Sequence, residues 1–188
     1  MREIWLVRHS QRDTTIQEDQ AAPLTLAGQA RLPELAAYFQ DKALAAVYSS
    51  PYQRAMLTAE AIAAPMGLPV HCVAALRERS VGEWVADFES FARHQWTDPD
   101  FRLPQGESLR EVSQRMTKAF AEILTQTSGN LVITGHGTAF AVLLAQLTKG
   151  GFGFEDFQKM SQPDVYQLQP SADGDLWRCQ RIDHFSFS

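Results

Sequence analysis

Two short apolar stretches of the chain each run directly into a histidine. Residues Ile4–Val7 lead into Arg8 and His9, and residues Leu131–Ile133 are followed by a threonine, a glycine and His136. Apolar runs of this length are typical of buried β-strands. In an open α/β sheet the ligand crevice lies at the carboxyl ends of the strands. The pattern therefore predicts that both imidazoles meet one bound group with Arg8 beside them, and this set of residue types favours an anionic, phosphoryl-bearing ligand.

The rest of the chain alternates between strand and helix patterns, which indicates an α/β fold. A helical region begins near Thr25, and Pro33 inside it is expected to kink or split it. Ser50 and Pro51 have the form of a helix entry, a capping side chain followed by proline at the first helical position. This entry places Arg54 in the first turn of its helix.

The longest predicted helix follows a capping box made by Ser108 and Glu111. Apolar residues at positions 109, 112, 116, 120 and 123 supply one face, so we expect a helix from about Leu109 to Thr127. Further strands are predicted at Ala46–Ser49, Leu68–Val73, Val165–Leu168 and Leu176–Cys179, with a turn over Ser171–Gly174 joining the last two.

The composition changes between Trp84 and Pro104, where aromatic residues stand among acidic and basic ones. One interpretation is a small lid, about residues 84–104, inserted over the site. The other is a surface loop that its aromatic side chains attach to the main core. A lid of this composition favours a substrate with an apolar or aromatic leaving group.

The bulk composition narrows the class of protein. A chain of 188 residues, 45% hydrophobic and 21% charged, fits one globular domain over residues 1–188. The net charge of -5 argues against general nucleic-acid binding, because no basic stripe is present. No apolar run approaches the roughly 18 residues of a membrane span, and the N-terminal residues do not form a signal peptide. We expect no membrane association and a cytoplasmic location.

Six short motifs follow one another between about Ile4 and Leu147. They are Arg8-His9-Ser10-Gln11, Pro23-Leu24-Thr25-Leu26-Ala27-Gly28, Tyr48–Ala55 with Thr58-Ala59-Glu60, Leu76-Arg77-Glu78 with Gly82-Glu83-Trp84, Pro104–Ser108, and Gly135-His136-Gly137. In content and order they resemble the motifs of the histidine phosphatase superfamily, the phosphoglycerate mutase-like proteins. The resemblance implies a three-layer α/β sandwich with a central, mostly parallel sheet flanked by helices.

The same resemblance implies hydrolysis of a phosphate monoester through a phosphohistidine on His9, without a metal ion or other cofactor. A covalent intermediate splits a very slow hydrolysis into two easier steps. Arg8, Arg54 and His136 are expected to act as cationic donors that bind the transferring group, since the planar guanidinium contacts two oxygens at once. The substrate is then a small phosphorylated molecule or a phosphopeptide; the oligomeric state is not predicted.

Glu78 is the candidate general acid that protonates the leaving group and then serves as base for the attacking water. Three other carboxylates lie in neighbouring motifs, so the assignment stays open among four residues at this point. The alternatives are Glu83, Asp87 and Glu107.

Two positions depart from the superfamily pattern. Ser10 replaces a glycine that usually follows the histidine, and Thr15 stands where many members carry asparagine. Arg12 resembles an additional arginine of the acid-phosphatase and tyrosine-phosphatase-like branches, and it is expected to bind phosphate in place of that asparagine.

Three other functions compete with hydrolysis. A phosphoglycerate mutase uses the same phosphohistidine but returns the phosphoryl group to a substrate hydroxyl. A catalytically weak phosphate-binding protein would agree with the changes at Ser10 and Thr15. A histidine-based metalloenzyme is disfavoured, because the histidines lack close ligand spacing and arginines beside them would repel a cation.

Overall fold

The computed structural model describes residues 2–16, 18–171 and 176–182. Within these ranges six strands form one sheet in the order β3-β2-β4-β1-β5-β6. The strands are β1 (Ile4–Arg8), β2 (Leu44–Ser49), β3 (Val70–Cys72), β4 (Asn130–Gly135), β5 (Asp164–Pro170) and β6 (Trp177–Arg181). Strands β1 to β4 run parallel to one another, and β5 pairs antiparallel with both β1 and β6. The predicted α/β class with a mostly parallel sheet is confirmed.

Helices cover both faces of this sheet. In the described ranges they are α1 (Leu26–Ala30), α2 (Leu32–Phe39), α3 (Gln53–Ala63), α4 (Phe88–Thr97), α5 (Leu109–Gln126), α6 (Gly137–Leu147) and α7 (Phe154–Gln158). Two short 3-10 turns occupy Ala64–Met66 and Ala74–Leu76. None of these helices combines the length and the apolar composition that a bilayer-spanning segment needs.

The core consists of two apolar layers, one on each side of the sheet. Successive residues of a strand point to opposite faces. Along β1, Ile4 and Leu6 therefore pack with α5 and α6, whereas Trp5 and Val7 pack on the opposite face with residues of α2 and α3. The chain thus forms the predicted arrangement of helices, sheet and helices.

Most local predictions agree with the observed elements. The capping box at Ser108 and Glu111 is formed, and it opens α5. The helical region after Thr25 is split, and Pro33 lies at the start of its second helix. The predicted strand over Leu68–Val73 is shorter, and the turn over residues 171–174 lies largely outside the described residues.

The predicted helix entry at Ser50 is wrong. Helix α3 begins two residues later, and Tyr52, in an extended conformation, is its N-cap. The Ser50 hydroxyl is instead hydrogen-bonded to the His136 ring, at 2.7 Å. The hydroxyl also accepts from the Tyr52 N–H at 3.3 Å, so it joins the residue before α3 to His136. Arg54 still lies in the first turn of α3.

The segment over residues 84–104 contains helix α4. Phe91 is buried, and the Trp96 ring packs against Phe154 and Phe157 of α7. Trp84 at the beginning of the segment is 90% exposed. Aromatic contacts attach the helix to the body of the molecule; that the segment acts as a lid stays a prediction.

Candidate active site

The sheet brings the two strand-end histidines together. Because β1 and β4 are neighbours with Arg8 opposite Gly135, the residues that follow both strands meet at one edge of the sheet. The His9 backbone N–H donates to the Gly135 carbonyl at 2.9 Å. The ring centroids of His9 and His136 are 5.2 Å apart.

His9 is buried and held in one tautomer. Its Nδ1 lies 2.6 Å from the Ser10 carbonyl oxygen, which can only accept, so the ring proton is on Nδ1. The Nε2 lone pair is then free to accept, and Arg54 Nε donates to it at 3.1 Å. Burial holds the pKa of His9 well below its usual value, and the charges of Arg54 and Arg8 lower it further. The ring is therefore neutral, as a nucleophile requires.

His136 is the N-cap residue of α6 and is completely buried. Its Nε2 lies 2.7 Å from the Ser50 hydroxyl, and within the described residues Nδ1 has no hydrogen-bond partner. Burial lowers the pKa of His136 well below its usual value, and nearby His9 and Arg54 add to the effect. Both effects favour the neutral form of the His136 ring. That His136 binds the transferring group stays a prediction.

Arg8 is the last residue of β1, and its side chain lies against the first turn of α6. Its Nη1 donates to the Met160 carbonyl at 2.7 Å. Gly137 makes this position possible, because a Cβ there would be only 3.0 Å from the Arg8 Cζ atom. Burial lowers the pKa of Arg8, and the carboxylates of Glu78 and Asp164 oppose that effect.

Arg54 and Arg12 converge on one carboxylate that the sequence had not singled out. Asp19 Oδ1 accepts from Arg12 Nη1 at 2.6 Å and from Arg54 Nη2 at 3.0 Å. The Asp19 carbonyl also accepts from Arg54 Nη1. A single acidic residue in a polar loop carries no signal that separates it from Asp13 or Glu18.

Glu78 is directed at the amino end of α6. Its Oε2 accepts from the Thr138 N–H and its Oε1 from the Ala139 N–H, both at 3.0 Å. Helix amino ends favour negative groups, because their first N–H groups lack partners within the helix. The carboxylate is therefore fixed one turn from His136.

The other three candidate acids have different partners. Glu83 is exposed, Asp87 caps α4 through the Ser90 N–H, and Glu107 pairs with Arg77 and Arg115. Among the four carboxylates, Glu78 is the one whose oxygens contact the same helix end that carries His136. The geometry thus singles out Glu78 among them.

Comparison with known proteins agrees with this architecture. The family model described as the histidine phosphatase superfamily, branch 1, matches residues 4–183. The chain belongs to the histidine phosphatase superfamily. Among curated relatives, the probable phosphoglycerate mutase GpmB of Klebsiella pneumoniae strain 342 is 30% identical over 161 residues, 78% of this chain and 75% of the relative. The uncharacterized phosphatase PhoE of Bacillus subtilis strain 168 is 28% identical over 157 residues, 80% of this chain and 79% of the relative.

Solved structures of the superfamily share the fold at low sequence identity. The mycobacterial glucosyl-3-phosphoglycerate phosphatase superposes with a TM-score of 0.79 at 23% identity, covering 96% of this chain and 97% of that one. The α-ribazole phosphatase of Shigella flexneri superposes with a TM-score of 0.75 at 22% identity, covering 96% and 95%. These likenesses establish the fold.

At the two departures from the superfamily pattern, the hydroxyl groups donate to residues other than the arginines. The Ser10 hydroxyl donates to the Gly28 carbonyl at 2.8 Å, so it is directed at α1. The Thr15 hydroxyl donates to Asp13 at 2.6 Å on the exposed part of the loop. Ser10 therefore fits into the body of the molecule at the position of the usual glycine.

Tyr52 is a second site residue that sequence reasoning missed. Its ring lies 4.9 Å from the His136 ring, and the Arg54 guanidinium lies 5.0 Å from its centroid. Burial raises the pKa of Tyr52, and the charges of Asp19 and Glu78 raise it further. Tyr52 belongs to the motif that carries Arg54, but only the turn into α3 brings its ring against His136.

Proposed function

We propose that this chain is a phosphomonoesterase that forms a phosphohistidine on His9 Nε2. The observation that carries the proposal is the carboxylate of Asp19 between Arg12 and Arg54, because it marks a position where two guanidiniums bind a negative oxygen. Arg54 also donates to His9 Nε2, so this anion position adjoins the nucleophile. A phosphoryl group bound there would be within reach of His9.

In the first step the Arg54 Nε–H moves from His9 Nε2 to a phosphoryl oxygen, and the freed Nε2 lone pair attacks phosphorus as the bond to the ester oxygen breaks. Arg8, Arg12 and Arg54 bind the equatorial oxygens, which carry the negative charge of the transferring group. His136 contributes a neutral contact. Glu78 donates a proton to the leaving oxygen, which departs as an alcohol.

In the second step water attacks the phosphohistidine and the nitrogen–phosphorus bond breaks. Glu78, now a carboxylate, accepts the proton of that water, and inorganic phosphate leaves. In this scheme the positive charge at the phosphoryl group comes from arginine side chains, so the reaction is proposed to need no metal ion. His9 returns to its neutral tautomer with the proton on Nδ1.

The test is phosphate release from para-nitrophenyl phosphate by EDTA-treated protein. We expect release by the wild type and by His71→Ala, which removes an exposed histidine, and none by His9→Ala. Mass spectrometry of rapidly quenched protein should detect one added phosphoryl group, absent in His9→Ala. If the wild type neither releases phosphate nor gains a phosphoryl group, the result would favour the phosphate-binding function instead.

A mutase activity is the second candidate, because the 30% identical relative is named a probable phosphoglycerate mutase. The two reactions differ in which acceptor takes the phosphoryl group from His9. Incubating the phosphorylated protein with 2- and 3-phosphoglycerate would distinguish hydrolysis from mutase activity. Hydrolysis predicts release of inorganic phosphate, whereas a mutase would interconvert the two substrates.

For the substrate we propose an apolar or aromatic leaving group. The Tyr52 ring lies beside His136 and Arg54, and Trp84 and Phe88, which follow Glu78 in the chain, are exposed. A panel of aryl phosphates, sugar phosphates and tyrosine phosphopeptides tests this. Preference for small sugar phosphates would contradict it.

A further inference from the structure

The segment that carries Glu78 has no regular secondary structure. Residues 77–87, all of which the structure describes, form neither helix nor strand between the 3-10 turn Ala74–Leu76 and α4. Backbone hydrogen bonds of a regular element therefore do not determine where Glu78 lies. Other contacts must hold its backbone in place.

Arg115 supplies those contacts from α5. Its Nη1 donates to the carbonyls of Ala75 at 2.8 Å and Arg77 at 2.9 Å, and its Nη2 donates to the Glu78 carbonyl at 3.2 Å. One guanidinium thus binds three carbonyls within four residues. The backbone of the candidate acid is attached to a long, capped helix.

Glu107 orients Arg115 and also binds the segment directly, at the residues that flank Glu78. Its carboxylate accepts from Arg115 Nε at 2.8 Å and from Nη2 at 3.0 Å, a two-bond pair with both side chains largely buried. It also accepts from Arg77 Nη2 at 2.7 Å and from the Ser80 N–H at 2.9 Å. Burial would raise the pKa of Glu107, but the hydrogen bonds from Arg115 and Ser80 outweigh it and the pKa is lowered.

We propose that Arg115 and Glu107 are positioning residues for the general acid. The inference rests on the proposed function of Glu78. The Glu78 backbone is held from α5 through this ion pair, and its carboxylate is held by the first N–H groups of α6. Loosening either attachment displaces the acid from the leaving oxygen, and a shift of about 1 Å in a reacting group can cost on the order of a hundredfold in rate.

The test uses Arg115→Lys beside Arg110→Lys. Arg110 lies on the same helix in an exposed pair with Asp100, so it is a matched control. The readout is kcat/KM for phosphate esters whose leaving alcohols span a wide range of pKa. In Arg115→Lys, kcat/KM should fall roughly tenfold or more for alkyl phosphates. For dinitrophenyl phosphate it should stay within about twofold of the wild type, because only poor leaving groups need the proton of Glu78. Arg110→Lys should match the wild type on both.

Combining Arg115→Lys with Glu78→Gln sharpens the test. If Arg115 acts through Glu78, the double variant should be no slower on alkyl phosphates than Glu78→Gln alone. An equal loss on every leaving group, multiplying with that of Glu78→Gln, would overturn the proposal. Glu107→Gln, which keeps the side-chain volume, is the second variant if Arg115→Lys does not fold.

Amide hydrogen exchange tests the positioning role of Arg115 without depending on esterase activity. The N–H groups of Thr138 and Ala139 donate to Glu78, so the peptide containing them should exchange faster in Arg115→Lys than in the wild type or Arg110→Lys. If the wild type has no esterase activity, the proposed function is refuted, but the exchange rates still test whether Arg115 positions Glu78. Equal exchange in Arg115→Lys and in the wild type would overturn the positioning role of Arg115.

Discussion

Asp19 holds Arg12 and Arg54, two of the three arginines of the proposed phosphoryl subsite. Its carboxylate and a substrate oxygen would therefore compete for the same donors. The substitution Asp19→Asn removes one negative charge without changing the side-chain size. We expect the inhibition constant for inorganic phosphate to fall about fivefold, equivalent to about 1 kcal/mol. Phosphate inhibition of para-nitrophenyl phosphate hydrolysis measures it.

The matched control for this change is Asp13→Asn. Asp13 lies in the same loop, and its carboxylate is bound to Thr15. This variant should bind phosphate as the wild type does. A weaker phosphate affinity in Asp19→Asn would instead mean that Asp19 orients the arginines and does not compete with the ligand.

Gly137 leaves the space that the Arg8 guanidinium occupies. In Gly137→Ala the new methyl group would lie 3.0 Å from Arg8 Cζ, so the guanidinium must move. We expect KM for a phosphate ester to rise severalfold while the protein stays folded. Steady-state kinetics measures the change, with Gly153→Ala as the control, because a Cβ there meets nothing within 4 Å. A KM equal to that of the control would mean that Arg8 does not bind the substrate.

Among the elements, α5 bears on the site through Arg115, which holds the backbone at Glu78. The capping box of Ser108 and Glu111 satisfies two backbone donors at its amino end. Ser108→Ala should destabilise the protein by about 1 kcal/mol, whereas Ser113→Ala in the interior of the helix should be close to neutral. Urea denaturation measures both. Equal unfolding free energies for the two variants would argue that the cap contributes nothing.

For the whole molecule, the two buried histidines couple stability to pH. The pKa values of His9 and His136 are depressed in the folded chain, whereas an unfolded histidine titrates near 6.5. Above pH 6.5 both histidines are neutral in the folded and in the unfolded chain, so they cause no loss of stability there. As the pH falls below 6.5, the unfolded chain binds protons that the folded chain does not, and each histidine costs about 1.4 kcal/mol per pH unit until the depressed pKa is reached.

Urea denaturation at pH 7.5, 6.5 and 5.5 should therefore reveal a steep loss of stability in the last interval. The double variant with His9→Gln and His136→Gln should lose much of that slope. Replacing the exposed His71 and His94 by glutamine should leave it in place. A wild-type curve that is flat between pH 6.5 and 5.5 would contradict the linkage.

Local chemistry determined much of this protein from the sequence alone. The apolar runs that end in Arg8-His9 and His136 specified two buried strands with their functional groups at the carboxyl ends, because burial depends on the residues of the strand itself. The capping box predicted the start of α5 for the same reason, since all its partners lie within one turn. The resemblance carried by six ordered motifs led to the superfamily, which the family model confirms.

Only the tertiary structure decided which partners the side chains of the site bind. The Ser50 hydroxyl is hydrogen-bonded to His136, 86 residues away, as well as to the nearby Tyr52 N–H. Asp19 gains its role from Arg12 and Arg54, and Glu78 is distinguished from Glu107 by which helix each carboxylate reaches. Residue type and spacing encode contacts within a turn or a strand, whereas these partners are chosen by the way the sheet brings distant loops together.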